Sequence, residues 1–404
     1  MLQQLNLMAG PISLLFFSNS VARGGAEEHI LTLLRKLDRR SFRLHLVCPN
    51  ECVEKLQADI PKDVSVTALA LQKPYQVRVA RQFAGVLRRE KVQILHSHLF
   101  GASFAASPIG WMCGIPAIIE TPHVREAWRR GWIKGNFAVD RFAGRFVDYY
   151  IAVSRANARY LIEEKGLPAE KVRVIRNGSD LARFSPEHRG PEGMKQSLGF
   201  AQDDFVLLVV GRLEPQKGHA VLLDALKEVA EQFPSTRLVC IGDGVLRADL
   251  EKRTIELGLS ENVRFVGFQS NVADWLRLAD VSVLPSFFEG LPLAAIESLA
   301  AERPMVATDV DGTAEVVVNE QTGLTVPPGN AGALADAIVR LLKDAGLRAR
   351  LAAAGRKWVL QHFSEEQQIA ETENLYVEAL REKRPGDDTA TETIERTALN
   401  RSQR

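Results

Sequence analysis

Short unbroken apolar runs alternate along this chain with longer stretches in which apolar residues recur every three or four positions. In the first half the runs lie at 12–17, 44–48, 64–68, 94–96, 117–119, 150–153 and 172–175. In the second half they lie at 205–210, 237–241, 263–265, 281–284, 305–307 and 324–325. Many are continuous Val, Ile and Leu with little polar alternation, which predicts parallel strands buried on both faces. Helical periodicity falls between them, at 26–37, 76–90, 220–231, 245–257, 292–301, 331–342 and 347–359. Leu222, Leu223, Leu226 and Val229, for example, share one helix face. Such strand–helix alternation predicts an α/β fold with largely parallel sheets covered by helices on both sides.

At 404 residues the chain exceeds the usual size of one core. The segment 184–199 holds Pro186, Gly190, Pro191 and Gly193 and has no strand pattern, so it predicts the junction. The first domain is then 1–184 and the second 200–363. Ser364 and Gln367 resemble a capping box opening a helix over 364–382, and the apolar-poor tail 383–404 predicts disorder. Residues 99–119 carry no formal charge, yet Pro108, Pro116 and three glycines break them into a small-residue helix at 102–111 and a strand. That division disfavours a membrane span. No basic region precedes the run at 12–17, so it reads as the first strand and not as a signal peptide. Lys plus Arg is 51 against 50 for Asp plus Glu, which gives no electrostatic case for nucleic acid. Cys48 and Cys52 have no second Cys/His pair beside them, so zinc is not expected, and Cys113 and Cys240 read as small core hydrophobes. Reduced, cytoplasmic chemistry fits.

Candidate chemistry concentrates at strand-to-helix corners. The run at 281–284 leads into Phe287-Phe288-Glu289-Gly290-Leu291-Pro292-Leu293-Ala294-Ala295-Ile296-Glu297. Pro292 suits the first helical turn, which puts Glu289 on the loop and Glu297 inside the helix. Carboxylates there can accept from hydroxyls while free N–H groups of the helix start meet phosphate, a combination suited to a ligand part sugar and part phosphate. The run at 205–210 feeds a loop containing Arg212 and Lys217, two cations suited to a diphosphate but without the Walker spacing. The first strand leads through a loop from Ser18 into Gly24-Gly25-Ala26-Glu27, which lacks the dinucleotide glycine spacing. His123 follows another strand, and His96 and His98 point the same way if 94–98 is extended. No carboxylate stands at ligand spacing from these histidines, so no metal is expected. The segment 123–145 has six cations against Glu126 and Asp140, with Trp128 and Trp132 on one helix face. That composition suits contact with an anionic membrane. Each pattern alone equally fits a solvated surface: exposed carboxylates, a charged turn, a flexible glycine corner, or an ordinary basic face with half-buried tryptophans.

Taken together, residues 12–380 resemble glycosyltransferase family 4, retaining enzymes of the GT-B fold. The resemblance rests on Glu289 and Glu297 with seven residues between, on Gly211-Arg212 through Lys217-Gly218, on Gly24-Gly25-Ala26-Glu27, and on the turn Asn177-Gly178-Ser179-Asp180. It implies two Rossmann-like α/β domains facing across a cleft, with the C-terminal helix crossing back to the first. It implies a nucleotide-diphosphate sugar, UDP- or GDP-linked, as donor substrate, and neither cofactor nor metal. Arg212 and Lys217 would hold the diphosphate, Glu297 the ribose hydroxyls and Glu289 the transferred sugar. His123 would sit near the sugar and leaving group, and Gly25 would let the first domain close on the phosphate. Gly24, Gly290, Leu291 and Leu293 count among the donor-binding positions. The expected catalytic set is His123, Arg212, Lys217 and Glu289. The expected reaction transfers a hexosyl group to a glycan or lipid-linked acceptor, in cell-surface polysaccharide or glycolipid synthesis, at the cytoplasmic face of the plasma membrane. A nucleotide-sugar epimerase of the same fold, or a non-catalytic nucleotide-sugar-binding protein, is the alternative.

Overall fold

The computed structural model describes residues 10–21, 23–71, 76–125, 137–186 and 193–383. They form two compact units, one up to Asn177 together with the residues from Glu366 onward, the other Gly178–Glu365. In the first unit the apolar runs become β1 (Ile12–Ser18), β2 (Phe42–Cys48), β3 (Ser65–Ala68), β4 (Ile94–His98), β5 (Ala117–Thr121), β6 (Tyr149–Ala152) and β7 (Val172–Val174). They pair in parallel in the order β3-β2-β1-β4-β5-β6-β7. Every residue of β1 is buried, as a strand covered on both faces requires. Phe16 stands in register with Leu46 on β2 and His96 on β4.

The second unit repeats the architecture with β8 (Phe205–Val210), β9 (Thr236–Ile241), β10 (Val263–Gly267), β11 (Val281–Leu284), β12 (Met305–Thr308) and β13 (Leu324–Val326). Their parallel order is β10-β9-β8-β11-β12-β13. Leu222, Leu223, Leu226 and Val229 pack into its core, from the helix His219–Gln232. In both sheets the strand order reverses beside the first strand, at β1/β4 and at β8/β11. Helices that follow neighbouring strands at such a switch point lie on opposite faces and leave a crevice at the carboxyl ends, the usual ligand position in open α/β sheets.

The helix Glu365–Lys383 closes the first unit. Tyr376 is fully buried with its ring centroid 5.8 Å from that of Phe42, and Ile369 and Leu375 join the same core. The division between units falls at Asn177/Gly178, ahead of the Pro- and Gly-containing segment that sequence alone marks as the junction. Residues 178–184 therefore sit with the second unit, where the Ser179 N–H donates to the Phe363 carbonyl at 3.1 Å. A Cβ on Gly178 would lie 2.2 Å from the Ser364 carbonyl oxygen, so only glycine permits the two crossing strands of chain to touch there.

Several local expectations shift. β4 runs on to His98, past the apolar run, because its last three residues are buried and laddered to β1 and β5. Pro292 is the N-cap of the helix Leu293–Ala300 (φ −77°, ψ 106°) and not part of its first turn. The helix Phe100–Met112 is not buried throughout: Trp111 is 61% and Met112 75% exposed. Cys113 is only half-buried, unlike Cys48, Cys52 and Cys240. No helix among the described residues is long and apolar enough to cross a membrane. The tail beyond Lys383 lies outside the described residues.

Candidate active site

In the second unit the two candidate motifs meet. They leave adjacent strands at the switch point, the loop 211–218 after β8 and the loop 285–292 after β11. One backbone and one side-chain hydrogen bond zip them together: the Phe287 N–H donates to the Gln216 carbonyl at 2.8 Å, and Gln216 Nε2 donates to the Phe288 carbonyl at 2.9 Å. Gly218 adopts φ +65°, and a Cβ there would lie 2.0 Å from the Pro285 carbonyl oxygen. The glycine thus permits both the left-handed turn and the contact of the two loops.

This zipper carries the charges to one place. Lys217 Nζ pairs with Glu289 Oε1 at 2.5 Å, and the Ser286 hydroxyl donates to the same oxygen at 2.7 Å. The Glu289 N–H donates to Asp311 Oδ2 at 3.3 Å. The described residues give Glu289 Oε2 no hydrogen bond. Glu289 is buried at 6% exposure, so its charge depends on these partners. Arg212 pairs with Glu214 at 2.8 Å, and its side chain is 39% exposed. Both cations therefore already face carboxylates within the site. Gly290 and Leu291 are buried just beyond Glu289, and Leu293 opens the helix without a side-chain cap. Glu297 lies half-buried one turn further on. Sequence alone does not single out Ser286, Asp311 or Glu214. Glu214 stands within one motif and Ser286 directly precedes the other, but only the fold shows what they touch, and Asp311 comes from the loop after β12.

In the first unit, Gly24 is the N-cap of the helix Gly25–Lys36, and a Cβ on Gly25 would meet nothing within 4 Å among the described residues. Glu28 of that helix pairs with Arg23 at 2.7 Å. His123 lies just past β5, 5% exposed. It belongs to a buried group of four histidines. His98 Nδ1 lies 2.9 Å from His123 Nε2, and the His29 ring meets His123 edge-on with centroids 4.9 Å apart. The rings of His96 and His98 stand 4.2 Å apart, on one face as extended geometry requires. His96 bonds Tyr376 Oη through Nδ1 and Thr121 Oγ1 through Nε2, both at 2.7 Å. His29 Nδ1 lies 2.8 Å from Asn177 Oδ1. Burial disfavours the imidazolium, holding His29 at about 4 and pushing His96, His98 and His123 well below the usual histidine value. All four are neutral at pH 7. Among the described residues no group of His, Cys, Asp or Glu is arranged to hold a metal ion.

The basic segment 123–145 is described only at its ends; Glu126, Trp128, Arg129, Arg130, Trp132 and Lys134 lie outside the described residues. Of its flanks, Arg125 pairs with Glu164 and stands 5.1 Å from the Tyr160 ring centroid, and Asp140 pairs with the buried Lys165 at 2.9 Å. Arg145 stands over Phe142, which is 55% exposed.

Known proteins share this plan. The model of glycosyltransferase family 4 matches residues 23–183, and that of glycosyl transferases group 1 matches residues 192–358. The UDP-Gal:α-D-GlcNAc-diphosphoundecaprenol α-1,3-galactosyltransferase of Escherichia coli is 26% identical over 299 residues, covering 72% of this chain and 77% of the relative. A glycogen synthase of Mycobacterium tuberculosis is 30% identical over 308 residues, covering 74% and 72%. The crystal structure of Anabaena HepE in complex with UDP-glucose superposes with a TM-score of 0.79 at 22% identity, over 90% of this chain and all of that one. The chain belongs to glycosyltransferase family 4 and is a glycosyltransferase built from the two Rossmann-like domains of the GT-B fold.

Proposed function

We propose that the protein transfers a hexosyl group, with retention at the anomeric carbon, from a UDP-sugar to a hydroxyl of a lipid-linked glycan. The observation that carries this reading is the knot of Arg212, Lys217, Ser286 and Glu289 at the carboxyl ends of β8 and β11. It offers two cations for a diphosphate and one carboxylate oxygen for a sugar hydroxyl. Breaking the anomeric C–O bond sends its electron pair to the departing diphosphate and leaves positive charge on the sugar. Arg212 and Lys217 stabilise that growing negative charge. Glu289 Oε2 accepts from a hydroxyl of the transferred hexose, and Glu297 accepts from the ribose. Gly290, Leu291 and Leu293 supply backbone at the helix start, where N–H groups favour phosphate. In the first unit, Gly24 and Gly25 allow close backbone approach to the donor, and neutral His123 donates to the sugar. The acceptor oxygen bonds the anomeric carbon from the face the diphosphate leaves, and its proton passes to the leaving phosphate oxygen.

The lipid-linked acceptor is supported by the name of the E. coli relative and by the exposed Trp111, Met112 and Phe142. With Arg145 over Phe142 they offer apolar anchors beside positive charge, as a peripheral protein on the cytoplasmic face of the plasma membrane needs. Resemblance to a glycogen synthase favours a second reading, a soluble glucan acceptor. Incubation with labelled UDP-hexoses and either membrane extract or glucan, read by mass spectrometry, separates them. Label in a lipid fraction supports the first reading and label in glucan the second. Interconversion of free sugars without an acceptor overturns transfer. Protein that ignores anionic vesicles at low salt overturns the membrane contact.

A further inference from the structure

We propose that His98 is a positioning residue for His123, donating from Nδ1 to His123 Nε2 and so fixing His123 in the tautomer that carries its proton on Nδ1. The inference rests on the reading of His123 as a hydrogen-bond donor to the transferred sugar. It goes beyond that reading by deciding which nitrogen can donate and what holds it so.

The backbone is bent to make this contact. β4 and β5 run parallel with His98 opposite Thr121. The chain leaves each strand through a left-handed residue, Leu99 at φ 68° and His123 at φ 64°. Histidine tolerates this region, whereas for leucine it is an outlier. The Leu99 N–H donates to the Thr121 carbonyl at 3.0 Å, tying the two exits together. The result is an imidazole–imidazole contact of 2.9 Å with ring planes 27° apart. Strain held by surrounding structure clusters at functional sites.

Proton direction follows from what surrounds the pair. His98 Nε2 is buried and has no hydrogen-bond partner among the described residues. An orphaned buried N–H is rarer and costlier than an unused lone pair. The His98 proton therefore sits on Nδ1, facing His123 Nε2. Burial keeps both rings neutral, so His123 accepts there and carries its own proton on Nδ1. Neither neighbour makes this bond to His123. Both nitrogens of His96 are engaged by Tyr376 and Thr121. His29, whose Nδ1 is engaged by Asn177 and Gln368 and whose Nε2 has no hydrogen-bond partner among the described residues, meets His123 only edge-on. His123 then acts as a donor through Nδ1, and its Nε2 lone pair is not available as a base.

Long-range 1H–15N spectra of the full-length chain at pH 7.5 test this, with the His123 signals assigned by their loss in His123→Ala. The expected wild-type spectrum shows His123 protonated at Nδ1 and unprotonated but hydrogen-bonded at Nε2. His98→Phe keeps ring volume and removes the donor. His123 should then change tautomer, and kcat should fall roughly tenfold or more with donor KM within about twofold; a wrong tautomer costs a Ser-His-Asp triad about 10⁴. His98→Asn returns an N–H near the Nδ1 position and should restore the His123 spectrum and bring kcat within about threefold of wild type. His123 protonated at Nε2 in the wild type overturns the proposal, and that measurement needs no variant to fold. An unchanged His123 spectrum in His98→Phe overturns it as well. If instead His123→Ala transfers sugar at the full rate while the tautomer still depends on His98, the catalytic reading of His123 fails and the positioning stands.

Discussion

Replacing Glu289 by glutamine should tighten binding of a bare nucleoside diphosphate while slowing sugar transfer. Lys217 Nζ lies 2.5 Å from Glu289 Oε1, with side chains 18% and 6% exposed. The carboxylate already neutralises the ammonium, so an incoming diphosphate competes with it. A hydrogen bond to a charged group is worth about 1.5–3 kcal/mol. Lys217 remains open to water, which puts the gain at the low end, about 1.5 kcal/mol, or near tenfold in Kd. Glutamine keeps the side-chain length, and its carbonyl can still accept from the Ser286 hydroxyl, so the loop should hold its shape. Transfer should fall by roughly 10²–10³ in kcat, the usual loss on removing one preorganised polar contact to the reacting group. Calorimetric titration of UDP into wild type and Glu289→Gln, at low and high salt, measures the first effect. The advantage of the variant should shrink with salt because it is Coulombic. Equal or weaker UDP binding in Glu289→Gln at low salt, with an unchanged Tm, refutes the idea that the ion pair competes with the ligand.

Lys217→Ala should lower kcat by about 10²–10³ with little change in donor KM, since negative charge grows on the diphosphate as the bond breaks. Glu297→Ala should instead raise donor KM roughly tenfold through lost ribose contacts; steady-state kinetics of both decides, and equal kcat in wild type and folded Lys217→Ala would count against the assignment. Gly218→Ala should destabilise the second unit, because φ +65° costs an alanine about 1–2 kcal/mol and its Cβ would overlap the Pro285 carbonyl at 2.0 Å. A lower Tm and weakened UDP binding are expected, and a variant indistinguishable from wild type would show the loops are not locked there. Stability should rise with pH from about 4 to 6.5 and then level off. The buried histidines titrate below their unfolded value of about 6.5, so the unfolded chain binds more protons in that window. His29 alone, held at about 4, contributes on the order of 2 kcal/mol of destabilisation at pH 5. Urea midpoints between pH 4.5 and 8 check the sign, and a midpoint independent of pH would mean these rings are charged or exposed in the native state.

Periodicity determined much of this protein by itself. Thirteen apolar runs became thirteen parallel strands, because burial on both faces leaves an unbroken signature in the chain. The motif corners were legible for a related reason: strand ends, glycines and helix starts are local features, and Arg212, Lys217, Glu289 and Glu297 all lie on one or another of them. Local pattern carries no record of distance between segments, and there tertiary structure decided. It made Lys217 the partner of Glu289 across the β8/β11 switch point, and brought Ser286 to the same carboxylate and Asp311 to the Glu289 N–H. It put Tyr376 against His96, from a helix at the far end of the chain, and His98 against His123. It placed the division of units at Gly178, where packing against Ser364 outweighs the composition of the segment that follows. Hydrophobic spacing specifies which elements form. Which polar groups meet depends on strand order, and strand order is set only when the whole sheet assembles.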